Sequence, residues 1–189
     1  MQMVSRTSRH SQLGDVSTPH VASGLSEAFV KIADTTVSGG AVTSVQFTGL
    51  DLETDGTYYI SLYLLSAGAG GANIELQVNG DTTTTNYYNT RAQGSHASIV
   101  STRFNTAGFS YLPDADIMVA HAYITKIASQ PPWANCTSGF GDPALADITL
   151  WNGTWGHANT TNVTSIEVVS TTASAIANGS RLVLYQVKS

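Results

Sequence analysis

An acidic segment at residues 51–56 has the residue types that open a calcium-binding EF-hand loop. Its first, third and fifth positions carry carboxylates and Gly56 is the sixth, but such a loop also needs a bidentate carboxylate at its twelfth position. That position is Leu62, and residues 57–65 have the pattern of an apolar strand where a helix should begin. We therefore predict a polar connection and no metal site, with a weak cation site between Asp51 and Asp55 as the alternative.

Other motifs of cofactor and catalytic chemistry are incomplete. The glycines at 68–71 lack the Gly-Lys-Ser/Thr ending of a phosphate-binding loop, and Asn73 stands where the dinucleotide pattern needs its third glycine. No G-x-S-x-G elbow occurs, and the five histidines show neither H-x-H nor H-E-x-x-H spacing. Cys136 is predicted to be a free, unreactive thiol. The sequence predicts no cofactor, no metal, no catalytic residue and no enzyme.

Three tryptophans, Trp133, Trp151 and Trp155, lie in a stretch rich in proline and glycine at residues 129–162. We interpret this stretch as an elaborated loop region, because it shows no clear strand pattern. Loops longer than about 15 residues tend to be functional or disordered, and three tryptophans argue against disorder. The three residues are therefore candidates for an interface or a ligand platform.

The composition excludes several classes of protein. The chain has 189 residues, a formal net charge of −5, only 11% charged residues and one cysteine, whereas Ser and Thr together number 45. One domain without disulfides is expected at this length. Eight scattered Lys and Arg form no basic stripe for nucleic acid. The longest apolar stretch, residues 58–65, is too short to span a membrane, and no secretory signal is visible.

Short runs of alternating residues separated by turn signals predict a nearly all-β domain. In residues 42–47, for example, Val45 and Phe47 face one way and Gln46 the other, which is typical of a half-buried strand. The Asn79-Gly80 pair predicts a tight hairpin. The fold class is therefore predicted as all-β, an antiparallel, jelly-roll-like β-sandwich. Nine strands are predicted, at residues 28–33, 42–47, 58–65, 74–78, 84–90, 98–104, 117–124, 165–169 and 181–187.

The first 26 residues differ from the rest of the chain. They are rich in serine, contain scattered single apolar residues and show no period of 2 or 3.6. We interpret residues 1–26 as an extended N-terminal arm that orders against another chain, with an ordinary frayed terminus as the alternative, and residues 27–189 as the β-sandwich domain.

Two stretches resemble segments of structural proteins of tailed bacteriophages. One is residues 78–88, Val-Asn-Gly-Asp-Thr-Thr-Thr-Thr-Asn-Tyr-Tyr. The other comprises residues 164–168 and 178–185, which are similar to the closing hairpin of those proteins, with Gly153-Thr154-Trp155 fitting the same pattern. The resemblance covers about residues 27–187 and is shared by fibre, spike and capsid-decorating proteins. It implies a β-sandwich, usually trimeric, displayed on a virion.

The C-terminal strand is the candidate for the subunit contact. Leu182 and Leu184 face one way, whereas Val183, Tyr185 and Val187 face the other, so both faces are apolar. One face would pack on the core of its own domain and the other on a neighbouring subunit. Burial of both faces inside a monomeric sandwich is the alternative.

The function expected from the resemblance is capsid decoration. The chain would form a homotrimer on the outer capsid surface of the virion, and its arm would bind the major capsid protein and stabilise the head. The arm residues expected to make this contact are Val4, Arg6, Arg9, Leu13, Val16 and Val21. The alternative is a receptor-binding head or tail fibre tip, in which Trp133, Trp151 and Trp155 bind a host surface glycan.

Overall fold

The predicted antiparallel β-sandwich is confirmed. The computed structural model describes residues 28–188, except for 69, 95–98, 115 and 142–147. The predicted arm and its six contact residues lie outside the described residues. Within these described residues, twelve strands form the sandwich: β1 (Phe29–Thr36), β2 (Ser44–Thr48), β3 (Thr57–Leu65), β4 (Ala72–Val78), β5 (Tyr87–Gly94), β6 (Ile99–Phe104), β7 (Gly108–Leu112), β8 (Ile117–Thr125), β9 (Trp133–Gly141), β10 (Ile148–His157), β11 (Ser165–Ser170) and β12 (Arg181–Val187).

The strands form two antiparallel sheets of unequal size. The larger sheet has eight strands in the order β1-β12-β3-β8-β9-β10-β5-β6, and the smaller has four in the order β2-β11-β4-β7. The pairs β5–β6, β8–β9 and β9–β10 are hairpins, whereas the other connections between successive strands cross from one sheet to the other. Because the small sheet has half as many strands, it covers only part of one side of the large sheet.

Side chains alternate between the core and the surface along the central strands. In β3, Tyr58, Ile60, Leu62 and Leu64 are buried, and in β8 Met118, Ala120, Ala122 and Ile124 are buried, while their neighbours point away from the small sheet. This period of two is what a sheet with one covered side requires. We call the solvent-facing side of the eight-stranded sheet the outer face.

Two predicted hairpins are wrong, although their turn residues behave as expected. Asn79 and Gly80 both have positive φ (53° and 68°), and the Asp81 amide donates to the Val78 carbonyl, as in a tight turn. However, β4 and β5 then enter different sheets, so they do not pair. Likewise β11 pairs with β2 and β4, whereas β12 pairs with β1 and β3. The local turn geometry was predictable, but not the partner of each strand.

The interpretation of residues 129–162 as a loop region is wrong over most of its length. Within it lie β9 and β10, which pair with each other and with β8 and β5 in the middle of the large sheet. Both strands contain two glycines and an asparagine, residue types that have low strand propensity. Ala134, Cys136 and Ser138 occupy every second position of β9 and are all buried. This alternation was the sequence signal that could have predicted a strand here.

Two smaller differences concern other segments. The prediction omitted β7, at the edge of the small sheet, and residues 84–86 form a turn of 3-10 helix before β5 begins. Among the described residues, no helix is long and apolar enough to cross a membrane.

Candidate functional site

The structure does not bring the three tryptophans onto one surface. Trp155 is fully buried and Trp151 nearly so, because both point from β10 into the sandwich. Trp133, the first residue of β9, is 53% exposed on the outer face. Of the three candidates, only Trp133 is therefore positioned to contact a ligand or a partner.

The two buried tryptophans are packing residues. Trp155 lies opposite Ala134 and Trp151 opposite Ser138 in the neighbouring strand, so that each large ring is beside a small side chain. The guanidinium group of Arg91 lies 3.8 Å from the centre of the Trp151 ring, which is a cation–π contact. Small partners on β9 thus allow the core to hold these rings.

A cluster of aromatic rings covers the outer face at β1, β12, β3 and β8. Tyr59 is its centre: its ring centroid lies 4.7 Å from that of Tyr123, 5.7 Å from those of Phe29 and His121, and 6.0 Å from that of Tyr185. The Tyr59 hydroxyl is also 2.7 Å from Nδ1 of His121. Burial among these rings raises the pKa of Tyr59. We call these five residues the aromatic patch.

The candidate trimer residues lie on this same face. Val183 is buried by its own chain, and Tyr185 and Val187 are half-buried. Leu182 and Leu184 are fully buried in the core, so the predicted opposition of the two faces of β12 is confirmed. The subunit contact itself stays a prediction.

Register places one residue of every large-sheet strand in a single row across the outer face. Three tyrosines occupy one half of the row, and polar residues followed by an arginine occupy the other half. The row reads Lys31, Tyr185, Tyr59, Tyr123, Asn135, Thr154, Thr90 and Arg103. The sequence alone does not single out Arg103, Thr90 or Thr154 as site residues, because their proximity depends on strand order.

Among the described outward positions, charged side chains lie only towards the two edges of this face. At the described outward positions of β3, β8, β9, β10, β5 and β6, Arg103 is the single charged residue, counting Lys, Arg, Asp and Glu. At the opposite edge, Asp34 accepts from Lys31 at 3.0 Å and from Arg181 at 2.6 Å. These two cations hold the pKa of the Asp34 carboxyl well below its usual range. The centre of the face is therefore uncharged.

Two depressions flank Trp133. The first, of about 380 Å³, is lined by Tyr88, Thr90, Arg103 and Thr154 among others, and the second, of about 330 Å³, by Tyr123 and Asn135 among others. We call the two depressions together the Trp133 groove. Rings and hydroxyl groups alternating on an open β-surface form a site suited to a flat, hydroxyl-bearing ligand such as a sugar.

A hydrogen-bond network beneath the first depression is structural. Asp81 accepts from the Asn86 side chain at 2.7 Å, the Thr83 amide at 2.8 Å and Nε2 of His157 at 2.9 Å. Nδ1 of His157 accepts from the Asn159 amide at 3.3 Å. Because both ring nitrogens are occupied, His157 is not placed to act as a general base in this structure.

This network gives a pH-dependent stability. The Asn86, Thr83 and His157 donors hold the pKa of Asp81 well below its ordinary value of 3.8, so the stabilisation is present above that value and is lost as pH falls through the lowered pKa. We expect Asp81→Asn to reduce the melting temperature most near neutral pH, with the difference from wild type shrinking below about pH 4. Thermal unfolding across pH measures this; an equal difference at every pH would contradict it.

The acidic corner at residues 51–56 is occupied by its own hydrogen bonds. A short helix, α1 (Leu52–Asp55), begins there, with Asp51 accepting from the Thr54 amide at 3.1 Å and from the Asn162 side chain at 2.7 Å. The Asp55 carboxylate accepts from the Tyr58 hydroxyl and the Gln186 side chain. Among the described residues, no group of three potential metal ligands occurs.

Cys136 is buried in the core, and burial raises the pKa of its thiol to about 12. The thiolate is the reactive form, so we expect no labelling of the native protein by a thiol reagent near neutral pH and stoichiometric labelling once it unfolds. Absorbance with Ellman's reagent, with and without denaturant, measures this. Rapid labelling of the native protein would show that β9 opens locally.

Comparisons with known proteins add little. No protein-family model matches the chain, and no curated protein matches it. Among solved structures, it is similar to Scytalido-glutamic peptidase bound to a peptide-based transition state analogue, at 11% identity and a TM-score of 0.23. That match covers 79% of this chain and 66% of the peptidase, and such a low score carries no argument about activity. The resemblance to phage proteins rests on the sequence segments alone.

Proposed function

We propose that this chain is a non-enzymatic capsid decoration protein that assembles as a homotrimer on the outer surface of a phage head and stabilises it. The observation that carries this proposal is the aromatic patch. Contiguous exposed apolar patches on soluble proteins mark interaction sites. Interface cores are enriched in aromatic residues and depleted of charge, and the patch has both features.

Neighbouring aliphatic residues extend the patch. Val119 lies opposite Tyr63, and Ile117 opposite Leu65, on the same outer face. Val119, Tyr63 and Tyr123 are each more than 40% exposed. The ion pairs of Asp34 lie at the edge of this area, which gives the arrangement of apolar centre and polar rim that stable interfaces have.

The position of β1 relates the patch to the arm. Phe29 begins β1 and its ring contacts Tyr59 and Tyr185, so residues 1–26 connect to the domain next to the patch. In a trimer formed through the patch, three arms would leave from neighbouring points. Three linked arms bind a shell more tightly than one, because the second and third contacts are intramolecular.

The oligomer is tested by light scattering with size-exclusion chromatography. We expect the purified chain to have three times the monomer mass of 19.8 kDa, and Tyr123→Lys, which places a charge in the patch, to have the monomer mass. Gln46→Lys, on the exposed side of β2 in the other sheet, is the matched control and should stay trimeric. A monomeric wild type would overturn the proposed assembly.

The decoration function is tested on virions. Particles that lack this protein should release their genomes at a lower temperature than complete particles, and adding back the purified wild-type chain should restore heat resistance. Adding back a chain with Arg6→Glu and Arg9→Glu should not restore it if the arm makes the contact. Unchanged heat resistance after loss of the protein would contradict the function.

A second candidate function is favoured by the exposure of Trp133. A receptor-binding tip would use the Trp133 groove to bind a host surface glycan, without Trp151 and Trp155. A glycan array with wild type and Trp133→Ala separates the two functions, since binding that depends on Trp133 supports the tip. Antibody labelling of capsid faces on intact virions supports decoration.

A further inference from the structure

We propose that the first depression of the Trp133 groove binds a carboxylated sugar, with Trp133 against the sugar ring and Arg103 paired with the carboxylate. This inference rests on the second candidate function and names its ligand class. It does not depend on the oligomeric state, because the first depression lies over β9, β10, β5 and β6, in the half of the outer face away from β12.

The ring of Trp133 is held over a glycine. Gly156 lies opposite Trp133 in register, and a Cβ atom at Gly156 would be 3.0 Å from Cε3 of the indole and 3.1 Å from its Cζ3. The absence of a side chain at Gly156 therefore lets the indole lie close to the sheet. Because 53% of Trp133 is still exposed, its free surface can pack against the apolar face of a sugar.

The opposite wall of the depression is Tyr88. Gly156 pairs with Tyr88 on one side and with Trp133 on the other, so the two aromatic residues are separated by two strand spacings, about 10 Å. Thr90 and Thr154 are paired in the next row of the same face, and their hydroxyl oxygens are 2.8 Å apart. Hydroxyl groups both donate and accept hydrogen bonds, and they would match the hydroxyls of a pyranose ring.

Arg103 supplies the positive charge that would pair with the carboxylate of the sugar. It lies on β6 opposite Thr90, is exposed, and forms no ion pair with any residue that the structure describes. A guanidinium group pairs with a carboxylate through two parallel hydrogen bonds. The carboxylate of Asp81 lies behind His157 and accepts from three donors. The carboxylate of a bound acidic sugar would therefore pair with the guanidinium group of Arg103.

The test uses the full chain on matched pairs of glycans that differ only at the carboxyl group, such as oligosaccharides of glucuronic acid and of glucose, or sialylated lactosamine and its sialic acid amide derivative. We expect the acidic member of a pair to bind about tenfold or more tightly than the neutral member, as a charge-assisted pair predicts. Arg103→Gln should remove this difference, so that the acidic member binds about as weakly as the neutral member. Arg181→Gln, which replaces an exposed arginine of β12 far from the first depression on the same sheet, is the matched control.

Two further variants test the contact with the ring. Trp133→Ala and Gly156→Val should both weaken binding of acidic and neutral glycans, the second by displacing the indole, and circular dichroism should show an unchanged fold. Binding that depends on Trp133 but is insensitive to Arg103→Gln would contradict the proposed recognition of a carboxylate by Arg103. The receptor-binding function would still be supported. No binding of any glycan would overturn both, and the light-scattering and virion experiments would still decide on the decoration function.

Discussion

Replacing Trp155 with alanine is expected to lower the free energy of unfolding by about 3–5 kcal/mol. Its ring is fully buried in the core and packs against Tyr87 at a centroid distance of 5.7 Å. The small residue opposite it, Ala134, cannot fill the space that the ring leaves. Because the backbone on both sides is held by β9 and β5, the cavity cannot collapse fully. Thermal or urea unfolding at a fixed protein concentration measures the loss.

Trp133→Ala is the matched control for this experiment. Trp133 is a tryptophan of the neighbouring strand, but it is half exposed on the outer face, so its removal leaves no closed cavity. We expect a change of less than about 1 kcal/mol. If the two variants were equally destabilised, the assignment of the two rings to opposite sides of the sheet would be wrong.

Replacing Gly153 with alanine is expected to destabilise the protein by about 3 kcal/mol, near the upper end for overpacking. A Cβ atom at this position would lie 2.2 Å from the Thr90 carbonyl oxygen and 3.1 Å from Cα of Arg91. Both are backbone atoms of β5, so the strand itself would have to move away from β10. At this chain length the melting temperature should fall by roughly 6–12 °C.

Gly139→Ala separates this steric effect from the general effect of replacing glycine in a strand. Gly139 lies in β9, and its nearest neighbour would be Cδ2 of Leu150 at 3.3 Å, the end of an exposed and flexible side chain. We expect little loss or a gain of about 0.5–1 kcal/mol, because alanine loses less conformational entropy on folding. A loss at Gly139 as large as that at Gly153 would contradict the steric explanation.

Both proposed functions use the outer face. The aromatic patch and the Trp133 groove meet at Tyr123, which contacts Tyr59 and also lines the second depression. A trimer formed through the patch would therefore bring three grooves close to the subunit interface. If both proposals hold, Tyr123→Lys should remove the trimer and also lower the avidity for surfaces that present many glycans.

The β-class of the fold followed from the sequence by itself. Alternation within single strands, as in β3 and β8, depends only on which residues prefer water, and this local signal survives in nearly every strand that was predicted. The positive φ of Asn79 and Gly80 and the two faces of β12 were also local properties. These properties could be predicted without knowing which strands are neighbours in the sheets.

The functional face was decided by tertiary structure. Alternation says that Trp151 and Trp155 share one side of a strand, but it cannot say that Trp133, in another strand, points the opposite way. The row from Tyr185 through Thr154 to Arg103 joins residues up to 126 positions apart, and it exists because β9 and β10 pair between β8 and β5. Strand order depends on contacts distant in sequence, whereas periodicity reports only a residue's immediate neighbours.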